Sequence, residues 1–300
     1  MKFMRLITRT NIFLWIILIL SFAVQAQTVK PTTRVEAIPN GLFIREEKLD
    51  SKLMARQMPY NLILPNNYDS PSNKSNNYAV IYLLHGLTGH FDNWAAKTKL
   101  AEYAVNYQYI IVMPEGNNGW YSDSVAVEKD KYESYIVQEL ITEIDKKFRT
   151  ISDKDHRVIA GLSMGGYGAV KFGLKYPEKF VLVGSFSGAL GATSFTEKNA
   201  GMIGKGIDEI FGDEMSENRK SNDIFKLVRE ISDEKKKTLP FIYQSCGTED
   251  FLIQNNHDFA SLLFEKKIPH EYRELPGVHD WKFWDAQVKE FLETAEKFIK

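Results

Sequence analysis

A single cysteine, Cys246, stands in 300 residues. No disulfide can form within the chain, so packing alone must hold the fold. Neither sign of charge is in excess: 38 lysines and arginines face 39 aspartates and glutamates. No basic field is left to recruit nucleic acid. No internal repeat, low-complexity tract, metal-ligand spacing or cofactor motif appears, so the sequence leads us to expect neither metal nor cofactor. The one long apolar run, residues 12–24, is shorter than the roughly 20 residues that span a bilayer.

That run has the surroundings of a secretory signal. Lys2, Arg5 and Arg9 precede it without an acidic residue, and polar Gln25, Gln27, Thr28 and Lys30 follow it. Val24-Gln25-Ala26 offers a cleavage site, so residues 1–26 read as a signal peptide. A membrane anchor is the competing reading, and the lack of a nearby cysteine argues against a lipid-linked form. The expectation is an exported protein, periplasmic or extracellular, with no stable membrane anchor after cleavage. Residues 27–300, from a chain that is 44% hydrophobic, suit one large domain with a substantial core.

Along the mature chain, residues 34–38, 42–49 and 56–64 read as extended, with Asn40-Gly41 as a turn. From residue 79 the rhythm changes to apolar runs alternating with amphipathic stretches. The runs at 79–84, 109–113, 157–160, 180–185, 241–246 and 270–275 predict strands. Residues 131–148, 165–176, 255–266 and 281–298 predict helices. The fold class is therefore α/β, a mainly parallel sheet covered by helices on both faces, with antiparallel strands at the N-terminal edge. A charged helical insertion, about 187–239, interrupts the alternation and reads either as a lid or as a solvated excursion.

The chemistry is announced by Ala160-Gly161-Leu162-Ser163-Met164-Gly165-Gly166. A bare G-x-S-x-G arises by chance in roughly one chain of this length in ten, given ordinary Gly and Ser usage. Here it lies between a predicted strand and a predicted helix, the context a nucleophile elbow needs. The turn leaves no room for side chains two residues either side of the serine, and Gly161 and Gly165 meet that demand. The Met164 N–H, at the start of the helix, can donate to a developing oxyanion.

A serine hydroxyl needs a base to take its proton. In α/β-hydrolases the chain order is serine, acid, histidine. His85, His90 and His156 precede Ser163, and His257 and His270 lie within or beside elements. His279, in the loop after the last strand, is the expected base. Its orienting acid belongs in the loop Cys246-Gly247-Thr248-Glu249-Asp250, where both Glu249 and Asp250 qualify. Asp280 is too close in sequence to His279 to serve. The second oxyanion donor is expected after an early strand, near Gly86, with His85 bracing that loop. Cys246 closes a strand and reads as a buried structural thiol, a nucleophilic role being the alternative.

These segments resemble the esterase D-like branch of the α/β-hydrolases, which includes tributyrin-type carboxylesterases, S-formylglutathione hydrolases, feruloyl and acetyl xylan esterases and mycolyltransferases. The resemblance is carried by Leu83-Leu84-His85-Gly86, Met113-Pro114-Glu115-Gly116, the Gly161–Gly166 elbow, Gly247-Thr248-Glu249-Asp250-Phe251-Leu252, and His279-Asp280-Trp281 with Trp284. It implies Asp250 as the acid and the Leu87 and Met164 amides as the oxyanion hole. It also places Gly119-Trp120-Tyr121-Ser122-Asp123 in the wall of the acyl or alcohol pocket, a core role for Trp120 being the alternative. The chain departs from the cytosolic S-formylglutathione hydrolases in its export signal and in lacking a cysteine near Thr88.

The function so implied is hydrolysis of carboxylic esters through an acyl-enzyme on Ser163. Acyl transfer to a sugar or lipid would use the same residues, and a non-catalytic carbohydrate-binding relative would have lost one of them. Trp120, Tyr121, Trp281 and Trp284 fall in segments expected to converge on Ser163, with Trp120 and Trp281 as substrate contacts. Aromatic faces suit sugar rings and aryl acyl groups. The expected partner is a small-molecule or carbohydrate-linked ester, with short-chain acyl, acetyl or hydroxycinnamoyl groups.

Overall fold

The computed structural model describes residues 35–37 and 43–299. The signal peptide with its cleavage site, and the Asn40-Gly41 turn, lie outside the described residues. Nine strands form one sheet: β1 (Val35–Ala37), β2 (Phe43–Ser51), β3 (Arg56–Ile63), β4 (Ala79–Leu84), β5 (Tyr109–Pro114), β6 (Arg157–Leu162), β7 (Leu182–Phe186), β8 (Phe241–Gly247) and β9 (His270–Leu275). Their order is β1-β2-β3-β5-β4-β6-β7-β8-β9. The first three pair antiparallel and β3 meets β5 antiparallel; every pair from β5 to β9 is parallel. This is the α/β-hydrolase architecture with the antiparallel N-terminal edge that the pattern implied.

Burial explains why the strands read as continuous apolar runs. Every residue of β4, β5 and β6 is buried, because helices cover both faces. Trp94, Leu100, Phe283, Val288 and Phe291 pack on one face. Tyr135, Ile144, Tyr167, Phe172, Phe259 and Leu263 pack on the other. At the far edge β9 is half-buried along its length apart from exposed Glu274 and carries the charged Glu271, Arg273 and Glu274, which blunt an open edge.

The helices differ from the periodicity in two ways. Residues 131–148 form helix over 132–147, yet Tyr135–Leu140 is wound as a π-helix, a change of pitch that a 3.6-residue pattern cannot register. The last helix, Trp281–Ala295, stops three residues early. The 187–239 insertion contains helices Glu197–Phe211, Glu217–Ser221, Ile224–Arg229 and Asp233–Lys236. The first is broken at Gly201, whose φ is +54°.

Topology fixes where a site can form. From β4 the chain crosses to β5 on one side and then to β6 on the other, so the loops after β4 and β6 diverge. The crevice at such a switch point, beyond the carboxyl ends of the strands, is where open α/β sheets bind ligands. Gly86 follows β4 and Ser163 follows β6.

Candidate active site

Ser163 occupies the turn between β6 and the helix Met164–Lys175 with φ +52° and ψ −116°. A non-glycine residue held there costs on the order of 1–3 kcal/mol, and three backbone hydrogen bonds keep it in place. Its N–H donates to the Phe186 carbonyl at 3.0 Å, and its carbonyl accepts from Tyr167 at 3.1 Å and Ala189 at 3.0 Å. The flanking glycines are there for space. A Cβ on Gly161 would lie 2.4 Å from the Gly165 carbonyl, and one on Gly165 would lie 2.4 Å from the Leu84 carbonyl oxygen.

The late loops complete a hydrogen-bonded chain. Ser163 Oγ lies 3.0 Å from His279 Nε2. His279 Nδ1 donates to Asp250 Oδ2 at 2.9 Å, and the other oxygen, Oδ1, accepts the Leu252 N–H at 2.8 Å. Burial of the Asp250 carboxyl alone would raise its pKa, but the bonds from His279 and Leu252 overcome this and hold it below the ordinary value. It therefore stays ionised beside the imidazole. The geometry brings together Ser163, Asp250 and His279.

Glu249 takes a different position. Its Oε2 accepts the Gly277 N–H at 2.9 Å, two residues before His279. Asp280 is also otherwise engaged, capping the last helix by accepting the Phe283 N–H at 2.9 Å. Cys246 is buried and its thiol is pushed up to about 12 by desolvation, which removes it as a nucleophile near neutral pH.

The loop after β4 is braced from beneath. His85 Nδ1 donates to the Gly86 carbonyl at 2.8 Å, and its Nε2 accepts the Gly116 N–H at 2.9 Å. Glu115 binds the amides of Asn117 and Phe91. Burial would raise its carboxyl, yet the bonds it accepts, that of the Asn117 N–H among them, bring it down to about 2. The two motifs Leu83–Gly86 and Met113–Gly116 thus form one support. A Cβ on Gly86 would stand 3.5 Å from that of Ser163, so this backbone runs beside the nucleophile. Among the described residues no acceptor faces the N–H of Leu87 or Met164, which leaves both free to donate to an oxyanion.

Ser163 and His279 open into a cavity of about 430 Å³, whose wall includes Leu87, Trp120, Trp281 and Trp284. Trp120 is buried apart from this face and packs edge-on to Tyr167 at 5.9 Å; it is both core and wall. Trp281 lies edge-on to Trp94 and Trp284, with the Lys97 ammonium 5.2 Å from its ring. Tyr121 corrects an expectation. It is fully buried and turns its hydroxyl to the His85 carbonyl at 2.9 Å, because the left-handed backbone at Trp120 and Tyr121 sends the two rings apart.

Sequence reasoning missed several wall residues. Phe251 lies 4.6 Å from the His279 ring and is 76% exposed, so it shields one imidazole face from water. Its place beside Asp250 was the available signal. Phe195 and Ile203 come from the insertion and line the cavity. Among the described residues no group of three His, Cys, Asp or Glu side chains could hold a metal ion, and no helix is long and apolar enough to cross a membrane.

A mainly parallel sheet with a strained serine elbow, a histidine on the last loop and a free pair of amides is the arrangement of the α/β-hydrolase class. A family model described as "Putative esterase" matches residues 51–294, and the chain belongs to that family. It is 33% identical over 259 residues to an acetyl esterase of Caldicellulosiruptor saccharolyticus, covering 82% of this chain and 96% of the relative. Among solved structures a ferulic acid esterase superposes with a TM-score of 0.74 at 26% identity, covering 86% of this chain and 98% of that one. An S-formylglutathione hydrolase from Agrobacterium tumefaciens shares the fold, with a TM-score of 0.76 at 19% identity over 89% of this chain and 99% of its own.

Proposed function

We propose that the protein hydrolyses short-chain or aryl carboxylic esters, including those carried on sugars, through an acyl-enzyme on Ser163. The observation that carries this reading is the unbroken path from Asp250 through His279 to Ser163 at the floor of an apolar cavity. His279 takes the hydroxyl proton as Oγ attacks the ester carbonyl. The tetrahedral oxyanion is received by the Leu87 and Met164 amides, and the alcohol leaves with the proton from His279. Water, activated by the same imidazole, then releases the acid and restores Ser163. An acetyl esterase and a ferulic acid esterase among the similar proteins support acetyl and hydroxycinnamoyl groups as the acyl class.

Brief mixing with an activated acetyl ester, followed by acid quench and peptide mass analysis, tests this. The expected result is an acetyl adduct on the Ser163 peptide that vanishes in Ser163→Ala and decays in water. An adduct elsewhere, or turnover retained in Ser163→Ala, overturns it. Decay only upon addition of a sugar or lipid acceptor would mark a transferase instead. The export reading carries its own test: secreted protein should begin at Gln27, and retention of Met1 would refute cleavage.

A further inference from the structure

Lys171 is wholly buried on the nucleophile helix and takes no part in the path to Ser163. Its ammonium donates to the Tyr121 carbonyl at 2.7 Å and to the Ser122 hydroxyl. It also pairs with the buried Glu133 carboxylate at 2.8 Å. Glu133 binds Lys175 as well and accepts the Tyr176 hydroxyl at 2.6 Å. A buried ion pair is weak evidence for stability, since desolvating both charges offsets most of their attraction. What this one holds is more informative.

The ammonium grips a turn in an unfavourable conformation. Trp120 and Tyr121 have φ of +49° and +51°, a region that bulky L residues rarely enter. Within the turn, Gly119 donates to Gly116 and Ser122 to Gly119, each at 3.0 Å. The Tyr121 ring fills the space beside Gly116 and Gly168, where an added Cβ would lie 2.5 and 2.7 Å from it. The turn shows Trp120 to the cavity, while the Tyr121 hydroxyl holds the His85 carbonyl just before Gly86. One cation therefore supports both the wall and the loop carrying Leu87.

We propose that Lys171 is a positioning residue of the ester site, which holds Trp120 against the cavity from inside the core and so sets which acyl groups fit. Bulky acyl groups need the whole wall in place, and small ones do not. The inference rests on the ester-hydrolase reading above.

The test removes the wholly buried pair at once, as Glu133→Gln with Lys171→Met; the half-buried Lys175 keeps Asn222 Oδ1 as a partner at 3.4 Å. Acetyl and hydroxycinnamoyl esters of one alcohol are compared, with and without Trp120→Ala, and amide exchange is followed over residues 119–123. The expected result is a change of about tenfold in the kcat/KM ratio of the two esters, below the roughly 10²-fold that a 1 Å misplacement can cost. It should arise mainly through KM, disappear in the Trp120→Ala background, and accompany faster exchange in the turn. An equal change for both esters, no change, or an effect that adds fully to Trp120→Ala overturns the proposal. If the double variant fails to fold, Ser122→Ala removes one grip and leaves the ion pair; it must shift the ratio in the same direction, and no shift refutes the proposal. Failure of the wild type to cleave any ester defeats the parent reading instead, and the exchange measurement separates the two failures.

Discussion

Glu249 holds Gly277 by both of its backbone groups: its carboxylate accepts the Gly277 N–H at 2.9 Å, and its own N–H donates to the Gly277 carbonyl at 3.0 Å. The two loops touch so closely that a Cβ on Gly247 would lie 2.2 Å from the Gly277 oxygen. The acid loop and the histidine loop are thus one unit. Asp250 meets the imidazole and Glu249 sets the height of the loop that carries it.

Substitutions at these neighbours should therefore separate. Asp250→Asn is expected to lower kcat by about 10⁴, the size of effect seen when a triad acid no longer enforces the right imidazole tautomer. Glu249→Gln keeps an acceptor for Gly277 and should cost only a few-fold. Steady-state kinetics on both variants decides it. A crippled Glu249→Gln beside a mild Asp250→Asn would reverse the two roles.

Gly165→Ala should lose activity and lower Tm together. The added methyl meets backbone, the Leu84 carbonyl oxygen at 2.4 Å, and cannot be relieved by a rotamer change. Since Leu84 precedes the loop that bears Leu87, the strain passes to the oxyanion side of the site. Thermal unfolding and kcat, measured on the same preparation, check this. Wild-type values for both would contradict the packing described here.

Acid should destabilise the fold in a way traceable to two carboxylates. Burial pushes Glu133 up, but Lys171 and Lys175 hold it at about 2, and Glu115 is likewise brought to about 2 against its own burial. A depressed folded-state pKa contributes stability above the unfolded value, and that contribution is lost as pH falls through the folded one. The window runs from roughly 4.5 down to 2. Glu133→Gln combined with Lys171→Met, and Glu115→Gln on its own, should each show a shallower fall in Tm than the wild type between pH 5 and pH 3. Parallel curves would deny these groups their role.

The mainly parallel sheet with its antiparallel edge, the elbow and the loops that carry the acid and His279 were legible because each rests on a local constraint. Buried parallel strands show as apolar runs, Gly161 and Gly165 answer a contact across one turn, and Asp250 and His279 sit at strand ends. Choosing Asp250 over Glu249 required the family resemblance, since both lie in one loop. Other features depend on partners distant in sequence. Tyr121 is turned inward by His85 and Lys171. Glu115 reaches back to Phe91. Phe195 and Ile203 meet the cavity only because the insertion folds over it. No spacing within a segment records such contacts.

Substrate size is where the cavity speaks most directly. Its volume of about 430 Å³ lies toward the small end of the roughly 300–1,000 Å³ typical of small-molecule sites. Trp120, Trp281 and Trp284 give it flat apolar walls, suited to an acetyl, butyryl or hydroxycinnamoyl group. A palmitoyl chain would outrun this space and pass Ile203, which lines the cavity and is half exposed. Its outer methylenes would remain largely in water, without the roughly 0.8 kcal/mol that each buried methylene contributes. For a series of esters of one alcohol, kcat/KM should rise from acetyl to butyryl, stay high for hydroxycinnamoyl and fall for palmitoyl. Ile203→Ala should leave acetyl turnover within a few-fold while narrowing the gap to longer chains. Preference for palmitoyl, or a jump in rate on emulsified substrate, would instead make the Glu197–Phe211 helix a lipid-responsive lid hinged at Gly201.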